Sequence, residues 1–116
     1  MPPITVGFIK EHVSTKAGTL PTAGTDLLAT AIVPSQTHAT LRCDFVPSIA
    51  GILTVTYTLG GATTSAKLYG GASLTADVLY PFEVMTTFHS TTLLKETINF
   101  QFSETGGTYR LIVREV

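Results

Sequence analysis

The sequence holds no tryptophan and a single cysteine, Cys43, so no disulfide forms within the chain. At 116 residues it is one domain, able to bury roughly two thirds of its unfolded surface without help from a disulfide or a metal. Charge is also scarce. Charged residues make up 13% of the chain, against roughly 25% in an average domain. The seven lysines and arginines stand singly and the net charge is -1. Nucleic-acid binding needs a basic face that displaces counterions from phosphate, and anionic membrane surfaces need basic clusters; this chain has neither, so no nucleic acid and no membrane is expected as a partner. No apolar run approaches the length that crosses a bilayer. Residues 1–20 carry Pro2, Pro3, Lys10, Glu11 and Lys16 instead of the basic start and apolar centre of an export signal, and the expected site of synthesis is a cytoplasm.

The usual marks of chemistry are missing as well. His12, His38 and His89 form no i, i+2 or i, i+4 pair, and there is no Cys-x-x-Cys, so no metal site is expected. There is no Gly-x-Ser-x-Gly elbow. The eight carboxylates are scattered, and the Gly-Gly pairs lack the Lys-Ser/Thr ending of a phosphate loop. Cys43 alternates with apolar neighbours and reads as a small core residue. No catalytic residue and no cofactor is expected, and the chain is not read as an enzyme. Without tryptophan, an aromatic platform for sugars would fall to Tyr57, Tyr69, Tyr80 and Tyr109, of which at least three lie on apolar faces.

What the chain does have is threonine, more than one residue in six. Threonine is β-branched and suits the exposed face of a strand. Period-2 alternation is plain in four runs. Ala39, Leu41, Cys43 and Phe45 share one face, and Leu53, Val55, Tyr57 and Leu59 another. Ile98, Phe100 and Phe102 form a third, and Tyr109, Leu111 and Val113 a fourth, while Ile112 and Val116 share the face of Arg110 and Arg114. Turn residues recur about every ten positions, at 47–51, 60–64, 69–73 and 104–107, a spacing that indicates an antiparallel sandwich. "TTSAKLY" reads as a strand, Gly70-Gly71 as its turn and "DVLYPFEV" as the next strand, with Val78, Tyr80, Phe82 and Val84 on one face. Pro81 lacks an N–H and belongs at an edge.

The reading is therefore all-β: one small antiparallel β-sandwich of about eight strands over residues 23–116, with an extended N-terminal arm over residues 1–22. The expected core is Leu41, Cys43, Phe45, Val55, Tyr57, Leu68, Phe82, Ile98, Phe100, Leu111 and Val113. The arm carries one plausible strand, Ile4 to Ile9, and then a looser segment. Ile4, Val6, Phe8 and Ile9 are its candidate partner-binding residues, because an extended segment with alternate apolar anchors pairs with a sheet edge. Mean hydropathy is +0.34, high for a soluble monomer. Apolar surface that a small domain cannot bury marks an interface, so a homo-oligomer is expected, with a trimer favoured.

The run "KLYGGASLTADVLYPFEV", followed by "TINFQFS" and "YRLIVREV", resembles the C-terminal half of small jelly-roll decoration (cement) proteins of tailed bacteriophages and related viruses. Gly70, Gly71, Leu74, Thr75, Ala76, Tyr80, Phe82, Ile98, Asn99, Phe100 and Phe102 carry the resemblance, which spans about the last half of the chain. It implies a jelly-roll fold and a virion structural protein that binds the capsid exterior and stabilises it through subunit contacts. Its partners would be the major capsid protein or other virion subunits, and its location the capsid surface after synthesis in the host cytoplasm. The alternatives are another virion or filament component, such as a tail or fibre module, and a receptor- or carbohydrate-binding β-sandwich.

Overall fold

A computed structural model describes residues 12–34, 40–85, 88–89 and 94–115. Nine strands lie among the described residues: β1 (His12–Thr19), β2 (Thr40–Pro47), β3 (Leu53–Leu59), β4 (Ala62–Lys67), β5 (Tyr80–Met85), β6 (Phe88–His89), β7 (Leu94–Lys95), β8 (Thr97–Phe102) and β9 (Thr108–Glu115). A four-stranded sheet runs in the order β1-β9-β2-β5 and a three-stranded sheet in the order β4-β3-β8; every pairing is antiparallel. β6 and β7 pair with each other. The one helical element among the described residues is a 3₁₀ turn at Leu68–Gly71.

The alternation seen in the sequence sets which face of each strand turns inward. Leu41, Cys43 and Phe45 of β2, Leu53 and Val55 of β3, Ile98, Phe100 and Phe102 of β8, and Tyr109, Leu111 and Val113 of β9 form one buried cluster between the two sheets. Aromatic pairs join the layers. Phe45 of one sheet meets Phe102 of the other with ring centroids 5.6 Å apart, and Phe82 meets Phe100 edge-on at 5.9 Å. Tyr57, Leu68 and Phe82, expected in the core, are only partly buried and pack against its margin. Tyr57 falls near the end of β3, Leu68 begins the 3₁₀ turn and Phe82 lies on an edge strand, so each has the core on one side only.

Two other expectations are corrected. The strand expected from Asp77 starts three residues later, at Tyr80, because Asp77 takes the left-handed conformation (φ 61°), which breaks an extended run. Val78 is consequently exposed rather than aligned with Tyr80 and Phe82. The strand expected through Tyr69 stops at Lys67, where the chain tightens into the 3₁₀ turn. By contrast, Gly60-Gly61 closes a two-residue hairpin between Leu59 and Ala62, with φ of 61° and 85°, the doubly positive turn that matches strand twist.

Within the segment read as an arm, His12–Thr19 pairs along β9, from Arg114 to Thr108, and Leu20 is buried with its N–H donated to the Gly107 carbonyl at 2.7 Å. Residues 1–11 lie outside the described residues, and with them Ile4, Val6, Phe8 and Ile9.

The chain from Gly24 to Ile32 adds an irregular border to β8. Gly24, Leu27 and Ile32 donate to the Phe102, Phe100 and Ile98 carbonyls at 3.1, 2.8 and 2.8 Å. Between these bonds Leu28 cannot reach the ladder, and the Asn99 side chain fills in. Its Oδ1 accepts from the Leu28 N–H at 3.1 Å, and its Nδ2 donates to the Leu28 carbonyl at 3.0 Å. The Tyr109 hydroxyl donates to the Leu27 carbonyl at 3.1 Å. Leu27, Leu28 and Ile32 are thereby held in the core.

Candidate assembly surface

The outward positions of the four-stranded sheet follow from the same alternation: Arg42, Asp44 and Val46 on β2, Pro81, Glu83 and Met85 on β5, and Arg110, Ile112 and Arg114 on β9. Register sets Arg42 opposite Glu83, and their side chains pair at 3.1 Å. Asp44 and Arg114 pair diagonally at 3.5 Å. Both pairs are substantially exposed and contribute little to stability, on the order of 1 kcal/mol or less each. Their effect is to neutralise most of the charge on this face. Arg110 alone among its described charged groups has no ionic partner.

Between the charges lies apolar surface. Val46, Leu79 and Ile112, with Asp44 and Arg110, line a groove of about 240 Å³. Leu79 is 57% exposed and Met85 74%. Leu79 is held there by a loop pinned on both sides. Leu74 is buried and exchanges two backbone hydrogen bonds with Gly51, at 2.6 and 3.3 Å, and the Asp77 N–H reaches the Pro47 carbonyl at 2.7 Å. Position 51 admits only glycine, since a Cβ would stand 2.5 Å from the Phe102 ring. The Thr75 side chain and then its N–H, which donates to the Tyr80 hydroxyl at 2.7 Å, keep that phenol below its ordinary pKa range.

The margin of this face on β5 is blocked to strand addition at Pro81. Pro81 has no N–H, and its carbonyl accepts from the Tyr69 hydroxyl. Tyr69 reaches it from a left-handed backbone (φ 54°), its ring edge-on to Tyr80 at 5.4 Å.

The other residues singled out by sequence do not converge. His12 falls in β1 and His89 in β6, while His38 lies outside the described residues. Among the described residues no three His, Cys, Asp or Glu side chains stand close enough to hold a metal. Cys43 is buried, and burial, with Asp44 adding to it, pushes its thiol up to about 12. A thiol so placed is a poor nucleophile. We expect no modification by a thiol reagent near pH 8 in native protein and complete modification once the protein is unfolded; rapid native labelling would show that Cys43 is not a core residue.

Sequence reading missed Val46 and Leu79 as surface groups. One signal was there: Ile112 sits on an arginine face, where nothing in its own strand calls for an apolar side chain.

No family model and no curated protein matches this chain. Among solved structures it is similar to one described as the structure of infectious bursal disease virus Gx strain, at 13% identity and a TM-score of 0.45, over 99% of this chain and 37% of that one. The chain therefore spans little more than a third of the length of that protein.

Proposed function

We propose that this protein is a structural subunit of a virion, a decoration or cement protein that binds the capsid exterior and reinforces it through contacts between its own copies. The observation that carries the reading is the outer face of the four-stranded sheet. Its charges are mostly paired within the face, while the half-exposed Val46 and Ile112 and the exposed Leu79 line one groove. Contiguous apolar surface rimmed by polar groups is characteristic of protein–protein contact sites. The sequence resemblance to phage decoration proteins in the run from Lys67 to Val84 gives the contact its biological setting. A trimer is the favoured assembly, the major capsid protein or other virion subunits are the further partners, and Ile4, Val6, Phe8 and Ile9 of the arm are the second contact.

The test is a charge placed in the groove. Ile112→Glu sits on the outward side of β9, away from the core, and should leave the β-rich circular dichroism spectrum and the unfolding midpoint nearly unchanged. In sedimentation velocity the wild-type chain should run as an oligomer and the variant as a monomer. The variant should also no longer bind shells of the virus that encodes it. A wild-type chain that is monomeric at every accessible concentration and ignores those shells would overturn the proposal.

A further inference from the structure

The two main sheets have four margins, and three of them are guarded. The β5 margin carries Pro81. The β8 margin is bordered by the chain from Gly24 to Ile32. The β1 margin has a register shift between His12 and Ser14, and its sequence includes Lys16. Prolines, bulges and lysines are the common guards of an edge strand, because each discourages another chain from pairing there. β4 runs Ala-Thr-Thr-Ser-Ala-Lys, with all six residues exposed and an unbroken register along β3. Its one charge, Lys67, stands at its last position.

The hairpin decides which backbone groups of β4 are unused. A two-residue turn makes Leu59 and Ala62 a hydrogen-bonded pair, and pairs of that kind recur at every second residue, at Tyr57 with Thr64 and Val55 with Ala66. Thr63, Ser65 and Lys67 therefore turn their N–H and C=O groups away from β3. Among the described residues no strand and no loop backbone meets those groups. Ala62, Thr64 and Ala66 lie on the side of the core residue Val55, yet they are small and exposed. Tyr57 and Leu59 beside them are only partly buried. The inner layer is thus open to solvent along β4.

We propose that this edge receives Ile4 to Phe8 from the arm of a neighbouring copy, as an added antiparallel strand. The arm has what the edge lacks, a large apolar side chain at every second position: Ile4, Val6 and Phe8. Setting Val6 opposite Thr64 puts Ile4 opposite Ala66 and Phe8 opposite Ala62, so the three cover the small inner residues. Thr5 and Gly7 then exchange backbone bonds with Ser65 and Thr63, as in other cases of strand addition. The length of chain decides whose arm it is. β4 lies on the β5 side of the sandwich, since Tyr69, two residues beyond it, bonds to Pro81. β1 lies at the opposite margin, three strands away. Three strand spacings are about 14 Å and the gap between sheets is about 10 Å, which is about 17 Å in a straight line. The four residue steps from Phe8 to His12 span at most about 14 Å. An arm therefore falls short of its own β4. With donor and receiver at opposite margins, copies join head to tail, the kind of contact that closes into a ring such as a trimer. The proposal rests on the reading of the protein as self-assembling, with the arm as a contact.

The experiment is a disulfide cross-link in the full chain carrying both Val6→Cys and Thr64→Cys. In the added ladder these two face each other as a non-hydrogen-bonded pair, with Cα atoms about 4.5 Å apart, within the range a disulfide spans. Cys43 is buried and does not compete. After mild oxidation with oxidised glutathione, denaturing electrophoresis without reductant should show covalent dimers and trimers that a thiol reverses. A disulfide formed only within single chains would put the arm on its own edge, and no disulfide at all would leave β4 without the arm; either result overturns the proposal. Ser65→Pro, added to the pair, removes an outward N–H that its own sheet does not use. It should keep the β-rich circular dichroism spectrum while the yield of covalent multimers falls by about tenfold, roughly the worth of one net hydrogen bond. Gly7→Pro removes the arm's N–H at the same junction, leaves β4 untouched and should act alike. Multimers that survive both prolines arise by chance collision and would also overturn the proposal. An oligomer that Ile112→Glu dissociates but in which no cross-link forms would sink this contact alone and leave the proposed function standing.

Discussion

Phe100→Ala is expected to lower stability by about 3–5 kcal/mol, the cost of lost transfer energy plus the cavity left behind. Phe100 is fully buried near the middle of β8, paired in register with Val55, with its ring edge-on to Phe82 of the opposite sheet. It fills the space between the layers at the point where neither sheet can close over a void, since both are held by continuous ladders. A domain of this size has a total stability on the order of 5–15 kcal/mol, so the variant loses about a fifth of it or more. The melting temperature should fall by roughly 10–20 °C, since each kcal/mol moves a domain of about this length by several degrees. Phe100→Leu, which leaves a smaller cavity, should fall between wild type and the alanine variant. Urea unfolding would check both, and a midpoint unchanged by the alanine substitution would place Phe100 on the surface.

The second large effect comes from a polar residue. Asn99→Ala deprives the buried Leu28 N–H and C=O of their partners and removes the Oδ1 that also accepts from Phe100 N–H at 2.8 Å. A buried backbone group left without a partner costs roughly 1–3 kcal/mol. Water entering through the polar cleft that Asn99 lines with Asp26, Thr56, Thr97 and Gln101 offsets part of this, so we expect a net loss of about 3 kcal/mol. Asn99→Asp is the sharper probe. It keeps an acceptor for the Leu28 N–H, but when ionised it turns an oxygen toward the Leu28 carbonyl. Burial and that carbonyl favour the protonated form, whose Oδ1 still accepts from the Leu28 and Phe100 N–H groups while the proton on its other oxygen restores the bond to the carbonyl, so the folded-state pKa of the introduced carboxyl is raised above its unfolded value. Its contribution is then fully present below the unfolded pKa of about 3.9 and is lost as pH rises through the folded one. The variant should be closest to wild type near pH 4 and furthest from it near pH 7. Equal deficits at the two values would show that Asn99 does not donate to Leu28.

These two neighbours mark how far the sequence could be read. Phe100 stands in a run of strict alternation, and the same pattern announced β2, β3, β8 and most of β9. Alternation reports only which side of a strand is apolar. It is silent about Asn99, which is buried because it replaces a missing ladder bond, and about Leu27 and Leu28, which are adjacent, share no period and are both in the core. Leu20 and Leu74 are buried for a similar reason, each at a loop fixed by backbone bonds to a distant turn. The outer face of the four-stranded sheet was half legible. Ile112 among arginines signalled it, but Leu79 was read as part of a strand that Asp77 prevents. The polar cleft was not legible at all, since its walls come together only when the segment around Asp26 is laid beside β8.

That border segment also has a consequence for how the chain reaches its native state. Asn99 lies 71 residues from Leu28, and Tyr109 lies 82 residues from Leu27. The first described strand, β1, pairs with the last, β9, and β2 has β9 as one of its two neighbours. On a ribosome the early strands therefore emerge long before the surfaces that complete them. Leu20, Leu27, Leu28 and Ile32 must wait in water, or under a chaperone, until β9 has cleared the exit tunnel. Closing such long loops is entropically slow, so refolding should belong to the millisecond-to-second class of β proteins. Nascent chains halted before Thr108 should be captured by chaperones and readily digested, and native protection from proteolysis should appear abruptly over the final strand rather than by degrees.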